Sequence, residues 1–151
     1  CMEGIWKLSL PNKIKIFIWR AYHEALPLKS NLVRRGINVK PLCPVYEICD
    51  ETAQHLFLEF ECAKEIWLLS GLSWWQQQHV FSSFANWVEF MRRNTDMSEM
   101  GRAMTIVWQT WFNRNQTVFT NKKMTPAQVL TFCKSYIAEY EATTNRAECE
   151  R

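Results

Sequence analysis

The stretch PNKIKIFIWRAYHEAL, residues 11–26, indicates how the chain is built. Its apolar residues recur at spacings of three and four, at positions 14, 17, 18, 21, 22 and 25, which places them on one face of an amphipathic helix. Pro11 suits the first position of that helix, and Pro27 predicts its end after Leu26. Because an apolar helix face must be covered, this stretch predicts a core made with other helices.

The segments that follow support this interpretation. A second helix covers KSNLVRRG, with Ser30 or Asn31 as its cap. Thr125 and Gln128 form a capping box at the start of the last helix. Further helices are predicted over residues 62–71, 84–93, 98–118 and 125–142. The predicted fold class is therefore mostly α, a helical bundle with an irregular, zinc-ribbon-like loop insert over residues 37–61.

Composition limits the class of protein. A chain of 151 residues is long enough for one domain with a substantial core. Its longest apolar runs are far shorter than the roughly 20 residues of a membrane span, so no membrane association is expected. The six cysteines do not follow the even spread of a secreted disulfide scaffold. We therefore expect a reduced intracellular location, nuclear or cytoplasmic.

Charge is distributed unevenly along the chain. Residues 1–42 hold eight basic and two acidic side chains, a net +6, whereas residues 43–70 have a net charge of −5. A basic segment of this kind is typical of a surface that faces a polyanion, although an ordinary solvated surface is the alternative. The candidate nucleic-acid-binding residues are Lys13, Lys15, Arg20, Lys29, Arg34, Arg35 and Lys40.

Three cysteines and a histidine lie close together in the stretch CPVYEICDETAQHLFLEFEC, residues 43–62. Cys43, Cys49, His55 and Cys62 are the residue types and the number of ligands that a structural zinc ion uses. Their spacing, C-x5-C-x5-H-x6-C, is wider than the usual C-x2-C opening. They are candidate zinc ligands, and reduced thiols that bind no metal are the alternative.

The segment from Ile5 to Trp67 resembles a known family. IWKLSLPNKIKIFIWRAYHEALPLKSNLVRRGI, followed by CP, ETAQHLFLE and AKEIW, is similar to the zinc-binding domain of plant reverse transcriptases of the LINE-type, non-LTR retrotransposons. The family pattern is C-P-x-C, then E-T-x-x-H-L, then a cysteine five residues after the histidine. In this chain Tyr46 and Phe60 stand at two of the cysteine positions, and Cys49 and Cys62 lie three and two residues further on.

This resemblance implies a non-catalytic, nucleic-acid-binding zinc domain of a retrotransposon reverse transcriptase. The implied partners are RNA or DNA, together with the polymerase and RNase H-like regions of a parent chain. The implied domains are a zinc-binding-type helical domain over residues 1–71 and a tryptophan-rich helical segment over residues 72–151, which packs on it and leads to a missing C-terminal region. The alternative function is a metal-free, decayed or repurposed copy that acts as a protein-interaction scaffold.

No catalytic constellation is predicted. The chain has only two aspartates, Asp50 and Asp96, too few for two-metal chemistry without glutamates. The glutamates around the cysteines form a predicted solvated acidic face, at positions 47, 51, 59, 61 and 65. A cluster of aromatic and polar residues on a later helix is either a base-stacking platform or, as we prefer, core: Trp108, Trp111, Arg114 and Asn115.

Overall fold

The computed structural model describes residues 3–44, 49–76 and 79–149, and these form an almost entirely helical protein. The α-helices in chain order are α1 (Glu3–Trp6), α2 (Asn12–Tyr22), α3 (Lys29–Arg34), α4 (Glu61–Ser70), α5 (Phe84–Asn94), α6 (Met97–Thr120) and α7 (Pro126–Cys149). A π-helical turn, His55–Glu59, precedes α4, and a 3-10 turn, Ser73–Gln76, follows it. The prediction of a mostly α fold is confirmed.

Helix α2 is buried along the apolar face that the sequence predicts, through Ile14, Phe17, Ile18 and Ala21. It ends four residues earlier than expected, at Tyr22. Glu24 adopts a left-handed backbone with φ of 55°, and the N–H of Ala25 bonds back to the carbonyl of Arg20 at 2.8 Å. A turn from α2 towards α3 therefore forms before Pro27 is reached.

The core joins both halves of the chain. Helix α2 packs against α5 and α6, and α7 packs against α4 and α6. An aromatic cluster lies at the centre, where Trp67 is 5.0 Å from Trp74 and 5.7 Å from Trp87 between ring centroids. The indole N–H of Trp67 also donates to the carbonyl of Phe57 at 2.7 Å, which fixes the π-helical turn against α4.

The division into residues 1–71 and 72–151 stays a prediction. One hydrophobic core includes residues from both segments. Within the described ranges, no helix combines the length and apolar character that crossing a bilayer requires.

Candidate functional site

The cysteine loop is closed by backbone hydrogen bonds. The N–H of Cys43 donates to the carbonyl of Cys49 at 2.7 Å, and the N–H of Glu51 donates to that of Pro41 at 2.7 Å. These bonds flank an antiparallel bridge between Leu42 and Asp50. In the described part of the loop, which was predicted to be irregular, this bridge is the β-type pairing that forms. Residues 45–48 lie outside the described residues, and they include Tyr46 and Glu47, on which two of the predictions fall.

A buried ion pair anchors the loop to the rest of the molecule. The Glu51 side chain is 0 % exposed and receives two hydrogen bonds from Arg114 on α6, from Nε at 2.9 Å and from Nη2 at 2.6 Å. The backbone N–H of Lys29 donates to the same carboxylate at 2.8 Å. One carboxylate therefore connects the cysteine loop, the first turn of α3 and the long helix α6.

The expectation that Glu51 belongs to a solvated acidic face is wrong, because the carboxylate is the counter-ion of a buried arginine. A signal for this pair was present in the sequence. Arg114 lies seven residues after the buried Val107 and eleven after the buried Ala103, and therefore on the apolar stripe of α6. An arginine on such a stripe requires an acidic partner, although its position along the chain cannot be read from periodicity.

The aromatic residues near Arg114 contribute to packing. Phe17 of α2 lies 6.3 Å from Trp111, and the Arg114 guanidinium lies 5.1 Å from the same ring. The ring of Trp108 is 5.1 Å from that of Tyr136 on α7. Both tryptophans are partly buried against the core, as the preferred interpretation expects. Asn115 accepts a hydrogen bond from Arg114 at 3.0 Å.

The four candidate zinc ligands occupy different surroundings. Cys43 is 1 % exposed, whereas Cys49 is exposed. Cys43 lines a small cavity of about 240 Å³ beside α3, and Cys62 lines a separate groove with Leu68 of α4. Among residues 3–44, 49–76 and 79–149, no three His, Cys, Asp or Glu side chains are grouped to hold a metal ion.

His55 gives the clearest test of whether a metal fits. Its Nε2 atom is buried and has no hydrogen-bond partner within the described ranges. Such a nitrogen is available to coordinate a metal ion. However, its ring packs edge-on against Phe60, with centroids 5.8 Å apart. Phe60 stands where the family pattern has a cysteine, so an aromatic ring lies against the imidazole at that position. In this arrangement the donors do not fit a zinc ion, and the four-residue ligand set stays a prediction.

Cys133 is outside the loop and has a packing role. It is buried on α7, and its thiol lies 3.8 Å from the carbonyl of Thr105 on α6. Burial raises the pKa of the Cys133 thiol to about 12. This thiol therefore keeps its proton at neutral pH and is a poor nucleophile and a poor metal ligand.

The seven candidate nucleic-acid-binding cations lie on α2, on α3 and in the segment after α3. Two of them, Lys15 and Lys29, are partly buried. The other five are exposed: Lys13, Arg20, Arg34, Arg35 and Lys40. Three of the seven also make contacts within the molecule, since Lys13 lies 5.2 Å from the Trp108 ring, Lys15 donates to the Trp6 carbonyl, and Arg34 donates to the Glu24 carbonyl. In the described part of the chain, the ion pairs Arg92–Glu89 and Arg114–Glu51 use none of the seven.

Comparison with known families identifies the class of the amino-terminal part. Residues 1–67 match the family described as zinc-binding in reverse transcriptase. The match confirms the predicted resemblance to a zinc-binding domain of reverse transcriptases and covers somewhat less than half of the chain, whereas the plant, LINE-type origin stays a prediction. This part of the chain is thus similar to the zinc-binding domains that are associated with reverse transcriptases. No curated protein and no solved structure matches the chain significantly.

Proposed function

We propose that this chain is a non-catalytic nucleic-acid-binding module of a reverse transcriptase. The observation that carries the proposal is the set of seven cations on α2, α3 and the segment that follows, most of them exposed and none used in the ion pairs described above. Lys and Arg side chains that are left free at a surface neutralise phosphates without reading base sequence.

One of the nearby acidic residues weakens this surface less than the sequence suggests. Glu51, which lies in the acidic segment after residue 42, is buried and paired with Arg114. Its charge is therefore balanced inside the protein. The positive potential of α2 and α3 is correspondingly less opposed in solution.

The proposal that the chain is not an enzyme is supported by the positions of several carboxylates. Asp96 caps α6 by accepting from the N–H of Glu99 at 2.7 Å, and Glu99 in turn accepts from the N–H of Ser73 at 2.8 Å. With Glu51 in its ion pair, these groups stabilise helix ends and junctions. We therefore propose that polymerase and RNase H-like chemistry belongs to other regions of a parent chain. We propose further that a plant non-LTR element encodes this parent chain. Inside the cell, the module would hold template RNA or target DNA.

The test compares two charge reversals of equal size. Arg20→Glu with Arg35→Glu changes the proposed surface, whereas Lys122→Glu with Lys123→Glu changes two exposed lysines between α6 and α7. We expect wild type to bind a fluorescent single-stranded RNA, with an affinity that falls steeply as salt rises. The first variant should lose at least about tenfold in affinity and show a shallower salt dependence, while the second should bind nearly as wild type.

Equal losses in the two variants would indicate binding by net charge alone and would contradict the proposed surface. The RNA recovered after incubation with Mg²⁺ should be intact, because the module is proposed to hold nucleic acid without cleaving it. Cleavage that survives repurification would contradict the non-catalytic assignment.

A second candidate function is the protein-interaction scaffold. Leu68 and Leu69 on α4 are exposed apolar side chains, which is typical of a surface that another protein covers. Wild type without measurable affinity for RNA or DNA at low salt would favour this function over the first.

A further inference from the structure

Two tryptophans of the amino-terminal domain are not part of the core. Trp6 at the end of α1 is 46 % exposed and Trp19 on α2 is 42 % exposed, whereas Trp67 and Trp87 are almost completely buried. An indole is a large apolar group, and a folded protein gains free energy by burying it. The partial exposure of two indoles on neighbouring elements therefore needs a reason.

A lysine that precedes Trp19 by one helical turn contacts Trp6. Lys15 lies one turn before Trp19 on α2, and its ammonium group donates to the backbone carbonyl of Trp6 at 3.1 Å. On the other side of Trp19, one turn further on, the His23 ring lies 4.6 Å from the indole between centroids. The helical spacing of residues 15, 19 and 23 and these two contacts associate four residues, Trp6, Lys15, Trp19 and His23, which we name the aromatic row.

Cations border this row. Lys7 follows Trp6 and Arg20 follows Trp19, and both side chains are exposed. Over residues 3–24 the chain holds four Lys or Arg residues against two glutamates, so the surroundings of the row are positive. A partner that only covered apolar area would not need these charges, whereas a partner with flat rings on an anionic backbone uses both features.

We propose that the aromatic row is a stacking site for unpaired bases of single-stranded nucleic acid. The indole rings of Trp6 and Trp19 would stack on bases, while Lys7, Lys15 and Arg20 neutralise the adjoining phosphates. This inference rests on the proposed function and adds a preference to it. The faces of paired bases are covered by their neighbours in a duplex, so the row favours a single strand.

The experiment measures affinity for a fluorescent oligouridylate and for an RNA duplex of the same length, over the same series of salt concentrations. The variant is Trp6→Ala with Trp19→Ala, and the matched control is Phe112→Ala with Phe119→Ala, which removes two exposed aromatic rings from the end of α6. Circular dichroism of both variants verifies that the helices are retained. Because each pair is exposed, neither change creates a cavity in the core.

We expect wild type to prefer the single strand. The tryptophan variant should bind the single strand at least about fivefold more weakly, as the loss of one stacked base predicts, and should bind the duplex as wild type does. Its salt dependence should be unchanged, because no cation is removed. The phenylalanine control should bind as wild type.

Three outcomes overturn the inference. If the tryptophan variant keeps its single-strand affinity while Arg20→Glu with Arg35→Glu loses it, the proposed function stands and the stacking site falls. If single strand and duplex are weakened equally, the row contributes no preference for unpaired bases. If wild type binds neither probe, the proposed function and the stacking site fall together.

Discussion

At the scale of single residues, the Glu51–Arg114 pair defines how the cysteine loop is held. The carboxylate is fully buried, accepts two bonds from the guanidinium and also accepts the N–H of Lys29 at the start of α3. A buried pair of this kind adds little net stability relative to an apolar pair, but the loss of one partner is costly because the other charge is left uncompensated.

Glu51→Ala should therefore lower the free energy of unfolding by about 3–5 kcal/mol, measured by urea denaturation. The matched control is Glu65→Ala, on the exposed side of α4, for which a change within about 0.5 kcal/mol is expected. The double variant Glu51→Leu with Arg114→Met should be more stable than Glu51→Ala, since it leaves no buried charge without a partner. A Glu51→Ala protein as stable as the Glu65→Ala control would contradict the structural role of the pair.

At the scale of helices, local signals predicted some boundaries correctly. Thr125 and Gln128 form the expected capping box, in which the N–H of Gln128 donates to Thr125 at 3.2 Å and the N–H of Thr125 donates to Gln128 at 2.9 Å. Gly71 ends α4 with φ of 69°, as a left-handed residue after a helix should. Both features depend on residues within one turn of the helix end, so periodicity and capping residues suffice to predict them.

Boundaries that depend on distant residues were not predictable in this way. The cap of α3 was expected from Ser30 or Asn31, but its first N–H bonds to Glu51, which lies 22 positions along the chain. Asn31 is instead buried and donates to the Leu26 carbonyl at 2.9 Å. The position of the π-helical turn likewise depends on the contact of Trp67 with Phe57, ten residues earlier. Spacing alone does not reveal such contacts, and the same limit applies to whether thiols that are close in sequence meet in space.

Helices α2 to α4 are held together by contacts between the protein's own residues. These contacts are the Glu51–Arg114 pair, the Trp67–Phe57 hydrogen bond and a continuous hydrophobic core. We therefore expect EDTA treatment to leave the helical circular dichroism and the midpoint of thermal unfolding unchanged. The control is the same protein returned to buffer with Zn²⁺.

A loss of helix on chelation, reversed by Zn²⁺, would contradict this account of how α2 to α4 are held together. It would instead support Cys43, Cys49, His55 and Cys62 as ligands that come together around the ion. Elemental analysis of the same samples gives the zinc content per chain directly.

At the scale of the whole molecule, one helical body combines a shared hydrophobic core with a basic surface. Buried residues of α4 to α7 supply much of the core against which α2 packs, while α1 to α3 carry the exposed cations and the aromatic row. The sequence predicted this basic surface from the charge imbalance of residues 1–42. It did not identify Trp6 and Trp19 as solvent-exposed, because an indole on an amphipathic helix is usually buried.

The most direct test of the central claim is to locate bound nucleic acid on the protein. Wild-type protein is bound to a single-stranded oligouridylate, crosslinked by ultraviolet light and digested, and the modified peptides are identified by mass spectrometry. We predict that the crosslinks fall within residues 6–40, on the aromatic row and the adjoining cations. Crosslinks confined to residues 97–149, or none above those of a heat-denatured control, would contradict the account.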